Sequence, residues 1–319
     1  MERHPKVSVL LPTYNYAHYI EEAIESALAQ TFTDFELLIV DDQSTDDTAA
    51  VVQKYLKDSR VSFIINPENL GLTGNFNRCL ELAHGEYIKF LLADDKFHPR
   101  LLEQFVGVIE QYPTLSLVAT NTLQFGEKNR QRTLPLQGFH TGTEVVRRYF
   151  EKGFRNWIGV PTSVMFKKAA IEKVGMFDNR FHLLVDVEMW IRLLHIGDCY
   201  IFSEPLVYLR VHNMQASQVI QRSYKHYFES YELIKTIKTH TKYGAHEWNE
   251  NFQVNLKRRA SKCVQQSYRL LPQFYNKKNW RVIKEGLKIG IEEGVLLLAL
   301  FNSVRKKMTG TDKRNSVLQ

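Results

Sequence analysis

Three short polar clusters hold the residue types best suited to chemistry: Pro12-Thr13-Tyr14-Asn15, Asp41-Asp42-Gln43-Ser44 and Asp94-Asp95. Adjacent carboxylates at 94 and 95 offer the oxygen ligands that a hard divalent cation takes, with phosphates and water filling its other positions. The same pair suits a solvated turn with a helix-capping Asp ahead of Lys96-Phe97-His98-Pro99. Asp41 and Asp42 also read two ways. One is an Asx-type turn running into a helix cap; the other is a carboxylate that accepts the ring N–H of a pyrimidine base while Tyr14 stacks on that ring. Neither segment alone decides between its readings.

The elements around these clusters make the choice. Residues 7–11, 35–40, 61–65, 87–92 and 115–119 are apolar runs that read as strands. Between them Ile20, Ala23, Ile24, Ala27 and Leu28 recur at helical spacing. Thr45 or Asp46 is placed to cap a helix running to Tyr55, residues 73–84 read as a helix ended near Gly85, and Pro99 opens another. Alternation of this kind predicts an α/β fold, a Rossmann-like and mainly parallel sheet with flanking helices. Ligands bind such sheets at the carboxyl ends of the strands. All three clusters follow a strand, so they are expected to converge on one edge. Further on, 125–155 is mixed and polar with a helix at 143–152. A helix at 187–195 and a strand at 205–211 follow, and beyond 220 the pattern is all helical.

Taken in order, these segments resemble family 2 glycosyltransferases of GT-A fold. The match runs through Val7 to Asn15, Leu37-Leu38-Ile39-Val40-Asp41-Asp42-Gln43-Ser44-Thr45-Asp46, Asn69-Leu70-Gly71, Asn75, Asn77, Gly85-Glu86-Tyr87-Ile88 and Ala93-Asp94-Asp95, covering roughly residues 6–215. The resemblance implies that Pro12, Thr13, Tyr14, Asn15 and Asp42 line a base pocket, with Asn69, Gly71 and Asn77 on the nucleotide side. It places Asp94 near the ribose and Asp95 on Mg²⁺ or Mn²⁺ bridging a diphosphate. Val185-Asp186-Val187-Glu188-Met189-Trp190-Ile191-Arg192 is similar to the family's E-D-x-D-L-W-x-R segment, which aligns Asp186 with the general base. Arg210-Val211-His212 resembles its R-x-H segment, which implies a phosphate neighbour at Arg210 and a further metal ligand at His212. Gly159-Val160-Pro161-Thr162-Ser163 falls where relatives set a loop against the donor. The chain departs from the pattern at Leu92, Phe76 and Val185, where many relatives carry Asp, Arg and Glu.

What this implies is an inverting transfer of a sugar from a nucleotide-diphosphate donor, with UDP as the expected nucleotide, to a glycan or lipid-linked glycan hydroxyl. The setting would be cell-surface polysaccharide or glycoconjugate assembly of bacterial type. A sugar-1-phosphate nucleotidyltransferase would ordinarily carry a Gly-rich loop after the first strand, and Pro12-Thr13-Tyr14-Asn15 has no glycine. A nucleotide-sugar-binding protein without turnover is the third reading, suggested by Leu92 and Val185.

Composition bounds these readings. The 319 residues, 44% hydrophobic, allow one large domain with an appendage. Expected divisions are a catalytic part at 1–219, split near 120 into nucleotide and acceptor halves, and a helical region at 220–319. The net charge of +7 is uneven: residues 1–219 hold 22 Lys and Arg against 27 Asp and Glu, whereas 220–319 hold 20 against 8. That basic tail suits an anionic membrane surface, where each basic residue adds on the order of 1 kcal/mol, or else simply a set of solvated helix faces. Nucleic acid is not expected, because no recognised binding module accompanies the charge. Gly286, Gly290 and Gly294 fall four residues apart and would let another helix approach closely. Cys79, Cys199 and Cys263 form no C-x-x-C pair, so a reducing, cytoplasmic setting is expected, at the inner face of a membrane if attached to one.

Overall fold

β-branched and leucine runs build the middle of the sheet because every one of their side chains is covered. In β1 (Val7–Thr13) and β2 (Phe35–Asp41) all positions but Glu36 are buried. The computed structural model describes residues 4–151, 156–212, 225–240 and 249–308. The chain forms two compact units, Met1–Gln218 and Val219–Gln319; the boundary expected after 219 falls among 213–224, outside the described residues.

In the first unit β1 and β2 are joined by α1 (Ile20–Leu28), and α2 (Thr48–Gln53) leads to β3 (Val61–Ile65). Next come α3 (Gly71–Leu82), β4 (Tyr87–Phe90), β5 (Lys96–Phe97), α4 (Leu101–Gln111) and β6 (Leu115–Gly126). The remainder is β7 (Arg130–Arg132), β8 (Gly138–His140), α5 (Gly142–Glu151), β9 (Val164–Lys167), α6 (Lys168–Val174), α7 (Val185–Leu194) and β10 (Asp198–Val211). The sheet runs β3-β2-β1-β4-β9-β6-β10-β5, with β7 on β6 and β8 on β10. Strands β3, β2, β1 and β4 are parallel neighbours, and β10 is parallel to β6.

Within the mixed, polar 125–155 the segments at 130–132 and 138–140 are short strands paired to β6 and β10. Strand β9, only four residues long, lies antiparallel between β4 and β6. Val164-Met165-Phe166 is too short a run to announce a strand and gains its place from burial on both sides. β4 ends at Phe90, two residues before the expected end, because Leu92 accepts a hydrogen bond from the Asp95 N–H and turns the chain. Asp94 and Asp95 therefore sit inside a turn.

One face of the sheet packs on α1 and α4. Ile20, Ala23, Ile24 and Ala27 meet Val9, Leu11, Leu37 and Phe105 in a single buried cluster, each large member contributing about 1.5–3 kcal/mol. Between α3 and β4 the chain crosses β1 so closely that a Cβ on Gly85 would lie 2.4 Å from the Ser8 nitrogen.

The second unit holds α8 (Lys225–His240), α9 (Asn249–Leu270), α10 (Lys277–Glu292) and α11 (Leu296–Met308). Gly286 and Gly290 do admit a close neighbour: Cβ atoms there would press on Ser267 and Cys263, and on Val264, of α9. Gly294 serves differently, ending α10 at φ +65 where an L side chain is disfavoured. Among the described residues no helix is long and apolar enough to cross a membrane.

Candidate active site

The ends of β1 and β2 are tied together by side chains that hold two residues in the left-handed region, Asn15 at φ 58 and Gln43 at φ 62. The Asn15 N–H donates to Ser44 Oγ at 2.8 Å, and Asn15 Oδ1 accepts from the Thr45 N–H at 2.7 Å. Non-glycine residues stay there only when their surroundings over-determine them, and this clamp ties the two strand ends together. Tyr14, beside it, is 46% exposed. Thr13 is buried and its hydroxyl makes no hydrogen bond in the fold. A buried hydroxyl without a partner costs free energy unless a ligand engages it.

Asp41 and Asp42 divide their labour. Asp41 accepts from Ser44, from its hydroxyl at 2.5 Å and its N–H at 3.1 Å, and burial raises its pKa. Asp42 Oδ1 accepts from the Asn66 amide at 2.9 Å and the Leu70 N–H at 2.8 Å, and Oδ2 from the Gly71 N–H at 2.9 Å. A carboxylate offers about four acceptor positions, so Oδ2 keeps one. Asn69 donates to the Asp42 carbonyl, and Gly71 takes φ +71 to bring its N–H inward. Asn77 is brought elsewhere: its amide donates to the Phe177 carbonyl and accepts from the Phe177 N–H, both at 2.9 Å. That clamp fastens α3 to the Gly175–Asp178 segment. Pro12 lies within β1 opposite Val40, contributing backbone shape.

Asp94 and Asp95 are both buried. Asp95 Oδ2 accepts from Thr162 Oγ1 at 2.6 Å and Oδ1 from the Arg210 N–H at 3.1 Å. Burial, and then the charge of Asp94, raise the Asp95 pKa well above the usual carboxylate range. His212 Nε2 lies 3.0 Å from Asp94 Oδ2, so the imidazole meets this carboxylate, and Tyr19 packs against its ring at 4.9 Å. Arg210 donates to the Asp94 carbonyl and to Glu22, and its guanidinium rests on Tyr19 and Phe125. Behind them Lys89 is fully buried, donating to the carbonyls of Thr162 and Phe90. Burial drives its pKa far down, opposed by the charge of Asp95.

Asp186 opens α7, buried, with Oδ1 accepting from the Val187 N–H at 2.7 Å and Oδ2 from the Asn156 amide at 3.1 Å. Burial pushes its carboxyl up to about 7. Glu188, in the same turn, is fully engaged in a two-pronged pair with Arg192, both contacts at 2.7 Å. Arg192 also donates to the carbonyls of Val174, Gly175 and Met176. Trp190 Nε1 donates to the Gly159 carbonyl at 2.8 Å.

One loop joins the two acidic centres. At one end Asn156 holds Asp186, and at the other Thr162 holds Asp95. The loop faces a small recess lined by Thr120, Thr122, Arg132, Gly159 and Ser163, where the Thr122 hydroxyl also makes no hydrogen bond in the fold. Sequence patterning missed Asn156, Arg132, Lys89 and Tyr19. Tyr19 carried a signal in lying a few residues after the first cluster. Asn156 and Lys89 carried none, because each acts through a partner distant in sequence.

Among the described residues no three carboxylate, imidazole or thiolate groups converge into a ready-made metal cage. Mg²⁺ and its kin ordinarily take one or two carboxylates and complete their shell with substrate phosphates and water. The paired buried charges of Asp94 and Asp95 fit that mode, since each oxygen of Asp95 accepts only one hydrogen bond.

Residues 8–175 match the model of the family described as Glycosyl transferase family 2. TuaG of Bacillus subtilis, a glycosyltransferase assigned by its name to teichuronic acid biosynthesis, is 32% identical over 67% of this chain and 82% of its own. The solved structure of S. aureus TarS 1-349 superposes with a TM-score of 0.70 at 18% identity, covering 98% of this chain and 94% of that one, and has also been solved with UDP. The mannosyltransferase PcManGT from Pyrobaculum calidifontis, solved with GDP-Man and Mn²⁺, superposes at 0.56 with 17% identity, over 94% of this chain and 87% of its own. Of five further curated relatives that it matches, the chain spans between 31% and 69% of their length.

Proposed function

This chain belongs to glycosyl transferase family 2, and on that premise we propose that it transfers a sugar from a nucleoside-diphosphate donor to an acceptor hydroxyl, with inversion. The observation that carries the reading is the loop at 156–163, which links a buried carboxyl poised near neutrality to a buried acidic pair. In one displacement the acceptor oxygen bonds to the anomeric carbon, the bond from that carbon to the diphosphate breaks, and the hydroxyl proton passes to Asp186. A base with a pKa near the working pH suits a proton that becomes acidic only as the bond forms. Glu188, locked to Arg192, is unsuited to that role.

The donor's base is assigned to the strand-end cluster Pro12, Thr13, Tyr14 and Asn15. Tyr14 covers the ring, the Thr13 hydroxyl gains its missing partner, and Asp42 Oδ2 keeps an acceptor position for a ring N–H. Asn69 and Gly71 act by shaping Asp42's surroundings, and Asn77 by fixing α3. Asp94 is assigned to the ribose side. Asp95, with His212 beside Asp94, would hold Mn²⁺ or Mg²⁺, whose charge neutralises the departing diphosphate. A uridine donor is favoured by the Asp42 acceptor and the Thr13 hydroxyl, which suit a pyrimidine, and UDP is what the TarS structure contains. The acceptor is assigned to a glycan or lipid-linked glycan of cell-surface polysaccharide assembly, presented at the cytoplasmic face of an anionic membrane near residues 220–319.

The test is a panel of UDP-, GDP- and dTDP-sugars with Mn²⁺, read by nucleotide release. Release from one nucleotide class that disappears in excess chelator is expected; full activity in chelator would remove Asp95 as a metal ligand. Leu92 and Val185 favour one competing reading, a donor-binding protein without turnover. It predicts nucleotide binding by calorimetry with no release from any donor.

A further inference from the structure

We propose that the outward faces of α10 and α11 form a docking surface for an anionic lipid bilayer, α10 by charge and α11 by inserting apolar side chains. On α11 the buried positions are Ala299 and Ser303. Opposite them, at i, i+1, i+4 and i+7, stand Leu297, Leu298, Phe301 and Val304, the first three 82%, 63% and 64% exposed. A helix face turned to water carries polar residues there; this one carries none for two turns.

On α10, Lys277, Arg281, Lys284 and Lys288 recur on one side and all are exposed, with exposed Trp280 and Ile291 on the same side; exposed Glu285 and Glu292 flank the ladder, Glu292 lying 3.7 Å from Lys288. Phe274 and Tyr275, both exposed, immediately precede that helix. Basic residues beside leucine, phenylalanine and tryptophan mark helices that lie in a bilayer interface, where aromatic rings sit at headgroup level. At 13 residues α11 is too short to span the hydrocarbon core, so insertion is along the surface.

The choice of occupant follows from charge. Residues 220–319 carry 20 Lys and Arg against 8 Asp and Glu. A second copy would press one basic ladder against another, and nucleic acid would have no use for exposed leucines. An anionic bilayer satisfies both the ladder and the apolar face. The inference deepens the acceptor reading above by naming the surface that reaches the membrane. Vesicle binding is scored without donor or metal, so its failure leaves the transferase reading standing, and failed transfer leaves this one standing.

The experiment sediments the full chain with phosphatidylcholine vesicles, with and without phosphatidylglycerol. We expect at least tenfold stronger partition into the anionic vesicles, weakened by salt. Leu298→Ser with Phe301→Ser should lower it at least tenfold, whereas Leu298→Met with Phe301→Leu should keep it. Lys284→Gln with Lys288→Gln should weaken it independently of any effect on packing. Equal partition into neutral and anionic vesicles overturns the proposal, as does unchanged binding in either the serine or the glutamine pair. So does a parent dimer that the serine pair converts to monomer without any vesicle binding.

Discussion

Asp186 and Lys89 are both buried titratable groups, and each bonds one end of the loop at 156–163. For Asp186, burial lifts the carboxyl from 3.8 to about 7. Because the folded value lies above the unfolded one, the ionised form is penalised in the fold. That penalty is absent below about pH 4, grows as pH rises, and is complete above about pH 7; three units correspond to on the order of 4 kcal/mol. Asp186→Asn should therefore be more stable than the parent near pH 8 and no more stable near pH 4, as urea denaturation at the two values will show. The same variant should lose turnover while keeping nucleotide affinity, and the parent's rate should climb through about pH 7. A gap that does not vary with pH would remove the assignment of a strained, functional carboxyl. Lys89 behaves as a post. Lys89→Met keeps the bulk but leaves the Thr162 and Phe90 carbonyls without their donor, which should cost about 1–3 kcal/mol in the same denaturation assay.

At the scale of elements, tight crossings decide where those residues stand. Gly85 lets the chain pass over β1, its N–H donating to Ser8 Oγ at 2.7 Å while the Ser8 hydroxyl donates to Glu36. Gly85→Ala would drive a methyl into the Ser8 backbone and should destabilise by about 1–3 kcal/mol, read as a lowered melting temperature without change in nucleotide specificity. These crossings also explain what the sequence made legible. The parallel strands up to β4, and the clusters at their ends, announced themselves because buried runs followed by turn residues are local patterns. Asp186 was singled out mainly by resemblance. Strand β9 and the ties from Asn156 and Thr162 stayed hidden, since a four-residue strand and a loop amide gain meaning only from partners far along the chain. Gly286, Gly290 and Gly294 were read as one stripe, yet two serve packing and the third follows the end of α10, a difference that lies in φ and not in spacing.

For the whole molecule the governing feature is that its charge is polarised along the chain. The formal net of +7 is the difference between an acidic 1–219 and a strongly basic 220–319. Exposed charges are screened beyond about 10 Å in ordinary salt, so a surface senses the local ladder and not the average. Two quadruple variants separate the alternatives. Lys277→Gln, Arg281→Gln, Lys284→Gln and Lys288→Gln remove four positive charges from one face of α10. Lys54→Gln, Lys57→Gln, Lys128→Gln and Lys173→Gln remove the same number from exposed, scattered positions of the first unit. If net charge governed adhesion to anionic surfaces, both would elute from a cation exchanger at the same reduced salt. Because the field is local, the first should elute much earlier than the parent and the second close to it. Coincident elution of the two variants would show that the ladder of α10 has no special standing, and with it the electrostatic half of the membrane surface would fall.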